Sequence, residues 1–211
     1  MRDFGEFKLE ILPAGPLMTN TYLLSSGKDS MLIDSGAGHL EILDRFHLPE
    51  RNVKAFVMTH GHFDHIFDAM DFRKKLGCAL MIGNGDGEIM EWSYSVSERY
   101  MGKTIEPIGI DRFLNEGDSI GLGNSVVRII SLPGHTKGSI GIIAGPLFFT
   151  GDVLFKGTIG RTDIGGSMEE MEKSLRKLAG LDENLLVFPG HGPETTMKRE
   201  LEKNPFLKGL Q

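Results

Sequence analysis

The 211-residue sequence predicts an α/β (α+β) fold of layered sheets flanked by helices, and three observations predict it. Short apolar runs bounded by turn residues recur along the whole chain, helical patterns fall between several of them, and residues 112–150 hold mostly close-spaced strands. The strand-like runs cover residues 7–12, 21–25, 31–34, 53–59, 79–82, 125–132, 140–144, 147–150 and 185–188. Met168, Met171, Leu175 and Leu178 share one helical face, with Ser167 as N-cap and Gly180 as the stop. Residues 39–46 and 65–76 read as shorter helices, and 84–111, with Trp92, Tyr94 and Tyr100, as an irregular segment over a site. The glycines gather at element ends, as in Gly83-Asn84-Gly85-Asp86-Gly87, in the manner of tight turns and not of a phosphate-cradling loop.

Composition bounds what such a chain can do. An apolar share of 40% with 25% charged residues suffices for one globular domain over residues 1–211. A net charge of −6 argues against nucleic acid as partner, since non-specific binding to phosphate backbones rests on clustered Lys and Arg. The start Met1-Arg2-Asp3-Phe4-Gly5-Glu6 has no apolar leader and no later stretch is long enough to span a bilayer, so the expectation is a cytoplasmic protein without membrane contact. Cys78 is the single cysteine, cannot form an internal disulfide, and reads as a small hydrophobe inside a strand.

The chemistry concentrates in one run. The strand ending at Met58 leads into Thr59-His60-Gly61-His62-Phe63-Asp64-His65, four potential ligands in six positions. His60 and His62 project to one side of an extended loop, while Asp64 and His65 open the next helix and reach an adjacent spot. His135, Asp152 and His191 each follow another strand-like run, where sheet proteins gather functional loops. Five of the seven histidines belong to this set, and imidazoles with carboxylates beside glycine suit a divalent cation. His39 and His47 have no ligand companions in sequence and read as structural or solvated.

The run His60-x-His62-x-Asp64-His65, with Gly134-His135-Thr136, Gly151-Asp152 and Gly190-His191-Gly192 in that order, resembles the metallo-β-lactamase superfamily and more closely its glyoxalase II-like branch. The resemblance implies a four-layer αββα sandwich with the site at one edge of both sheets. It also implies two divalent metal ions, zinc first, with iron or manganese as alternatives. His60, His62 and His135 would hold one ion, Asp64, His65 and His191 the other, and Asp152 both, which makes Asp64 and Asp152 the catalytic carboxylates. Asp34 would be the supporting carboxylate that orients the ligand loop; an ordinary helix N-cap is its other reading.

Two such ions lower the pKa of a shared water from 15.7 to about 7 and stabilise the oxyanion formed on attack. A thioester suits them, because a thiolate of parent pKa about 8.5 departs without a placed general acid. The implied substrate is thus a small S-lactoylglutathione-like thioester, with Arg161 and Lys156 as candidate carboxylate-binding residues. Arg161 has a second reading, an ion pair with Asp163 that shapes the loop. The chain ends near Asn204-Pro205-Phe206-Leu207, so the helical C-terminal domain of classical glyoxalase II is not expected. Ile66-Phe67-Asp68 stands where many relatives carry a Gly-Gly pair, so the helix there is expected to begin differently. The rival reading is a persulfide dioxygenase with one iron at His60, His135 and Asp152, against which the bulky Phe63 weighs. A non-catalytic metal module fits less well, since structural zinc sites are usually cysteine-rich.

Overall fold

In the computed structural model, which describes residues 1–210, the apolar runs become two sheets packed face to face. The first holds seven strands in spatial order β1 (Arg2–Phe4), β2 (Phe7–Ala14), β3 (Thr19–Ser26), β4 (Asp29–Ile33), β5 (Asn52–Met58), β6 (Ala79–Gly83) and β7 (Arg112–Leu114). Its first four strands are antiparallel, and β4 to β7 run parallel through helical crossovers. The second sheet adds β8 (Ser119–Leu122), β9 (Ser125–Ser131), β10 (Ile140–Ala144) and β11 (Leu147–Gly151). After the small hairpin β12 (Leu154–Phe155) and β13 (Thr158–Ile159), it is completed by β14 (Leu186–Pro189) and β15 (Thr195–Thr196).

The two-residue period of a strand explains the layering. Met31, Ile33, Ala55 and Val57 point inward to meet Ile129, Ile142, Leu147 and Phe149 of the opposite sheet. Leu32, Phe56 and Met58, on the other face, pack under α1 (His39–Arg45) and α3 (Ala69–Leu76), and Leu80 and Ile82 of β6 lie in the same cluster. In the second sheet Ile143, Phe148 and Val187 face outward against α5 (Met168–Ala179) and α6 (Met197–Lys203). Strands buried on both faces are continuous apolar runs, which is why they were legible. Two helical layers enclose two sheets, the expected αββα sandwich.

Several expectations are corrected. Residues 84–111 are not irregular throughout, because α4 (Gly87–Met101) spans 15 of them. Its buried face holds Ile89, Met90, Ser93 and Ser97, so two serines at four-residue spacing mute the apolar period. Ser93 Oγ donates to Gly61 O at 2.8 Å and Ser97 Oγ accepts from Ile105 N at 3.0 Å, which makes both compatible with burial. The helix expected over 65–76 divides into α2 (Phe63–Ile66) and α3, with the break at Phe67-Asp68. Cys78 is buried but stands one residue before β6, and burial pushes its thiol up to about 11. In α5, Ser167 Oγ accepts from Glu170 N and Gly180 ends the helix, as the sequence indicated. No helix of the described residues is long and apolar enough to cross a membrane.

Phe149 is fully buried between the sheets, with Tyr22 edge-on at 5.0 Å and Phe188 at 5.5 Å between ring centroids. Phe149→Ala is expected to destabilise the chain by about 3–5 kcal/mol in urea unfolding with little change in slope. A loss under about 1 kcal/mol would contradict this packing.

Candidate metal centre

Each candidate ligand follows the C-terminal end of a strand. Asp34 comes directly after β4, His60 and His62 after β5, His135 after β9, Asp152 after β11 and His191 after β14, while Asp64 and His65 lie in α2. The two sheets therefore deliver donors to a common edge. Close approach is allowed by Gly61, where a Cβ would come within 2.6 Å of Ile89 Cγ2 of α4, and by Gly190, where it would lie 2.1 Å from Asp152 Oδ1.

Two triads result. His62 Nδ1 lies 2.8 Å from His135 Nε2, which lies 3.2 Å from His60 Nε2. His191 Nε2 lies 3.0 Å from Asp64 Oδ2 and 3.3 Å from His65 Nε2. Asp152 stands between them, with Oδ1 3.4 Å from His65 Nε2 and Oδ2 3.7 Å from His135 Nε2 and 3.6 Å from His191 Nε2. All seven predicted residues are thus brought together, His191 and Asp152 half-buried and the other five buried.

The outer nitrogen of every imidazole has an acceptor. His60 Nδ1 meets Thr59 Oγ1 at 3.1 Å, His62 Nε2 the Ile164 carbonyl at 3.1 Å, and His65 Nδ1 Asp34 Oδ2 at 2.9 Å. His135 Nδ1 meets the Arg161 carbonyl at 2.8 Å and His191 Nδ1 the Leu17 carbonyl at 3.1 Å. With these nitrogens donating outward, the inner ones turn lone pairs toward each other, an arrangement that a cation relieves. Asp152 Oδ1 is buried without a hydrogen-bond partner, which points the same way. The donor set therefore fits divalent metal.

Charge states agree with that fit. Burial and the neighbouring imidazoles lower His60 well below its usual value and His62 to about 4, so both are neutral ligands. For Asp152 and Asp64 burial works against ionisation, but the surrounding imidazoles, His65 foremost, outweigh it and hold both carboxyls below the usual range. His65 is buried too, yet Asp152, Asp64 and Asp34 together raise it well above a free imidazole.

Asp34 takes the supporting role and is no N-cap, since α1 is capped at Gly38 without a side chain. Its Oδ1 accepts from Thr59 N at 2.7 Å, and its Oδ2 accepts from Thr59 Oγ1 at 2.7 Å and from His65 Nδ1. A second buried carboxylate, Asp86, escaped the sequence reading, which took its glycine-rich surroundings for a turn alone. Asp86 Oδ2 accepts from Gly61 N at 2.7 Å and Thr136 Oγ1 at 2.8 Å, and Oδ1 from Gly138 N at 2.5 Å. It joins the His60–His62 loop to the His135 loop. Burial raises its carboxyl above the usual range, and the three donors offset part of that. Its one sequence signal was an aspartate shortly after a strand, shared with Asp34.

Arg161 serves the centre through its carbonyl, while its guanidinium pairs bidentately with Asp163 at 2.6 Å for both bonds. That pairing holds the exposed Asp163 at about 2. Lys156 is exposed on the turn between β12 and β13, next to Phe155, whose ring centroid lies 6.5 Å from that of His191. Helix α4 walls the other side: Trp92 stands edge-on to His62 at 5.9 Å, and Tyr100 stacks on Phe63 at 5.2 Å.

Two sheets between helical layers, with clustered imidazoles and carboxylates at their common edge, define an αββα metallohydrolase-type protein. The chain belongs to the metallo-β-lactamase superfamily, whose family model matches residues 14–191. It is 35% identical to the hydroxyacylglutathione hydrolase GloC of Haemophilus influenzae, over 94% of this chain and 97% of that one. Among solved structures, TTHA1623 in a di-iron-bound form matches with a TM-score of 0.84 and 32% identity, over 94% of this chain and all of the other (100%). ETHE1 from Myxococcus xanthus matches with a TM-score of 0.78 and 25% identity, over 94% and 83%.

Asp86→Ala leaves the Gly61 and Gly138 amides without their acceptor. The expected cost is about 2–4 kcal/mol in denaturant unfolding, with metal affinity reduced roughly 10- to 100-fold in competition with a chelator. Unchanged affinity would show that Asp86 does not position the ligand loops.

Proposed function

We propose that this chain is a binuclear metal-dependent hydrolase that cleaves a small thioester of the S-lactoylglutathione type in the cytoplasm. The observation that carries the reading is the pair of complete donor triads sharing Asp152. His60, His62 and His135 would hold one ion and Asp64, His65 and His191 the second, with Asp152 touching both. Zinc is the proposed metal, and the di-iron relative makes iron the alternative. Bound there, the ions supply Lewis acidity and a water of pKa about 7.

The chain's own residues account for the rest. Asp34 holds His65 in one ring orientation and Thr59 holds His60, so an imidazole of each triad is already turned toward the centre. Asp64 and Asp152 are kept ionised and cannot protonate a leaving group at neutral pH. A site without a placed acid favours a leaving group that departs as an anion, which a thiolate does and an amine does not. Beside His62 a cavity of about 400 Å³ opens between α4 and the 163–165 loop, walled by Ile89, Trp92 and Ile164, with Lys137 on its rim. The apolar wall suits the organic part of a thioester, and Lys137 is the one cation beside the lining carboxylates Asp86, Glu88 and Asp163. Lys156 is the free candidate for a carboxylate on the opposite side, whereas Arg161 would first have to exchange Asp163 for the substrate. The similarity to the GloC relative supports the same substrate class.

The second reading, a mononuclear iron persulfide dioxygenase, is supported by the likeness to ETHE1. It leaves Asp64, His65 and His191 without a purpose, and Phe63 fills the ligand loop with a bulky ring stacked on Tyr100.

Elemental analysis after reconstitution is expected to give about two metals per chain, with thiol release from S-lactoylglutathione. Asp152→Ala should lose the second ion and reduce turnover by at least about a thousandfold. One iron per chain with oxygen uptake on glutathione persulfide would replace hydrolysis by oxygenation, and full metal retention in the variant would remove Asp152 from its bridging role.

A further inference from the structure

Behind the centre, the starts of α1 and α3 bring together three donors that the sequence kept apart. His39, read from sequence as lacking ligand companions, has two. Its Nδ1 lies 3.3 Å from Asp68 Oδ1 and 3.3 Å from Asp71 Oδ2. The three atoms fall within 4.8 Å of one another.

Asp68 is the telling member. It is fully buried, and its Oδ2 accepts from Ser35 Oγ at 2.5 Å and Gly38 N at 2.8 Å. Its Oδ1, equally buried, faces His39 and makes no hydrogen bond. A buried carboxylate oxygen left without a donor is costly, and such an oxygen in a native fold commonly marks a place where an ion or water completes the site. His39 Nδ1 approaches both carboxylates at 3.3 Å without making a hydrogen bond to Asp68 Oδ1. The spacing has a second meaning. A tetrahedral ion with bonds of about 2.0–2.1 Å separates its ligands by roughly 3.3–3.4 Å, the distance His39 Nδ1 keeps from both oxygens.

We propose that His39 Nδ1, Asp68 Oδ1 and Asp71 Oδ2 form a separate site for a zinc-type divalent cation, with the fourth position left to water. One imidazole and two carboxylates are ligands for such an ion, and the partial exposure of His39 and Asp71 gives it an entry path. Lys103 Nζ, 3.4 Å from Asp71 Oδ2, is on a mostly exposed side chain and leaves when the ion enters. The ion would fasten α1 to α3 around Ser35, whose amide donates to the His65 carbonyl at 3.1 Å. Its purpose is structural: it stiffens the turn beside Asp34 from behind.

The test uses the full chain dialysed against micromolar zinc and analysed for metal, beside His39→Ala and Asp71→Asn. The expected result is one ion per chain fewer in each variant than in the wild type, whatever number the main centre holds. Thioester turnover should stay within about twofold, and the rise in Tm on adding zinc should be smaller in both variants. Equal metal content in all three proteins would overturn the proposal and leave His39 as a plain side-chain neighbour of the two carboxylates. An extra ion that persists in both variants would overturn it as well, by placing that ion elsewhere. Asp71→Asn leaves every hydrogen bond of Asp68 intact, so it remains informative if His39→Ala fails to fold.

Discussion

The carboxylate of Asp34 is the constraint on which the metal centre depends. Three donors from two segments converge on it: the Thr59 amide and hydroxyl at the end of β5, and the His65 ring from α2. Through the Thr59 hydroxyl it also reaches His60 Nδ1, so one buried charge orients an imidazole of each triad. Its position is itself demanding, since Asp34 adopts a left-handed φ of 53°, which costs a non-glycine residue roughly 1–3 kcal/mol. Such a backbone is stable only where the surroundings fix it, and here the hydrogen bonds to Thr59 and His65 do so. Asp86 repeats the device one strand further on, binding the His62 and His135 loops to each other.

These two carboxylates explain how strand ends become a site. A strand delivers its last residue to the sheet edge but leaves open which way the following loop turns. In the parallel part of the first sheet, β4, β5 and β6 end side by side, and an aspartate beyond β4 and another beyond β6 flank the loop that follows β5. The loop is held from both sides by oxygen acceptors, and His60 and His62 emerge between them. Directional bonds to a buried anion accomplish this where apolar packing alone would leave the histidines several rotamers.

Much of this was legible in the sequence, for particular reasons. The central strands are buried on both faces and so read as unbroken apolar runs, and α5 carries an apolar stripe between a serine cap and a glycine stop. The seven donors were visible because so many imidazoles rarely follow strands by accident. The hidden parts lacked such a signature. Helix α4 buries serines instead of leucines, and β1 and β7 are three residues long with little buried surface. Asp86 and Asp68 become meaningful only when the amides and hydroxyls around them are assembled from distant segments, which no local pattern contains. In sequence Arg161 signals only its guanidinium, whereas the structure puts its carbonyl to work.

The delivery of donors by both sheets has a mechanical side. Thr59 O accepts from Ile140 N at 2.9 Å and Gly190 O from Asn20 N at 2.8 Å, so backbone bonds already stitch the two layers at this rim. Each triad straddles the same seam, His60 and His62 facing His135, Asp64 and His65 facing His191. Elsewhere the layers meet mainly through apolar side chains, which resist separation but tolerate sliding, with the buried Ser26–Ser125 hydroxyl pair at 2.9 Å as a polar tie at the far end of β3. Shear between the layers is thus registered first at the rim, where a shift of a fraction of an ångström spoils the convergence of seven side chains long before the interior notices.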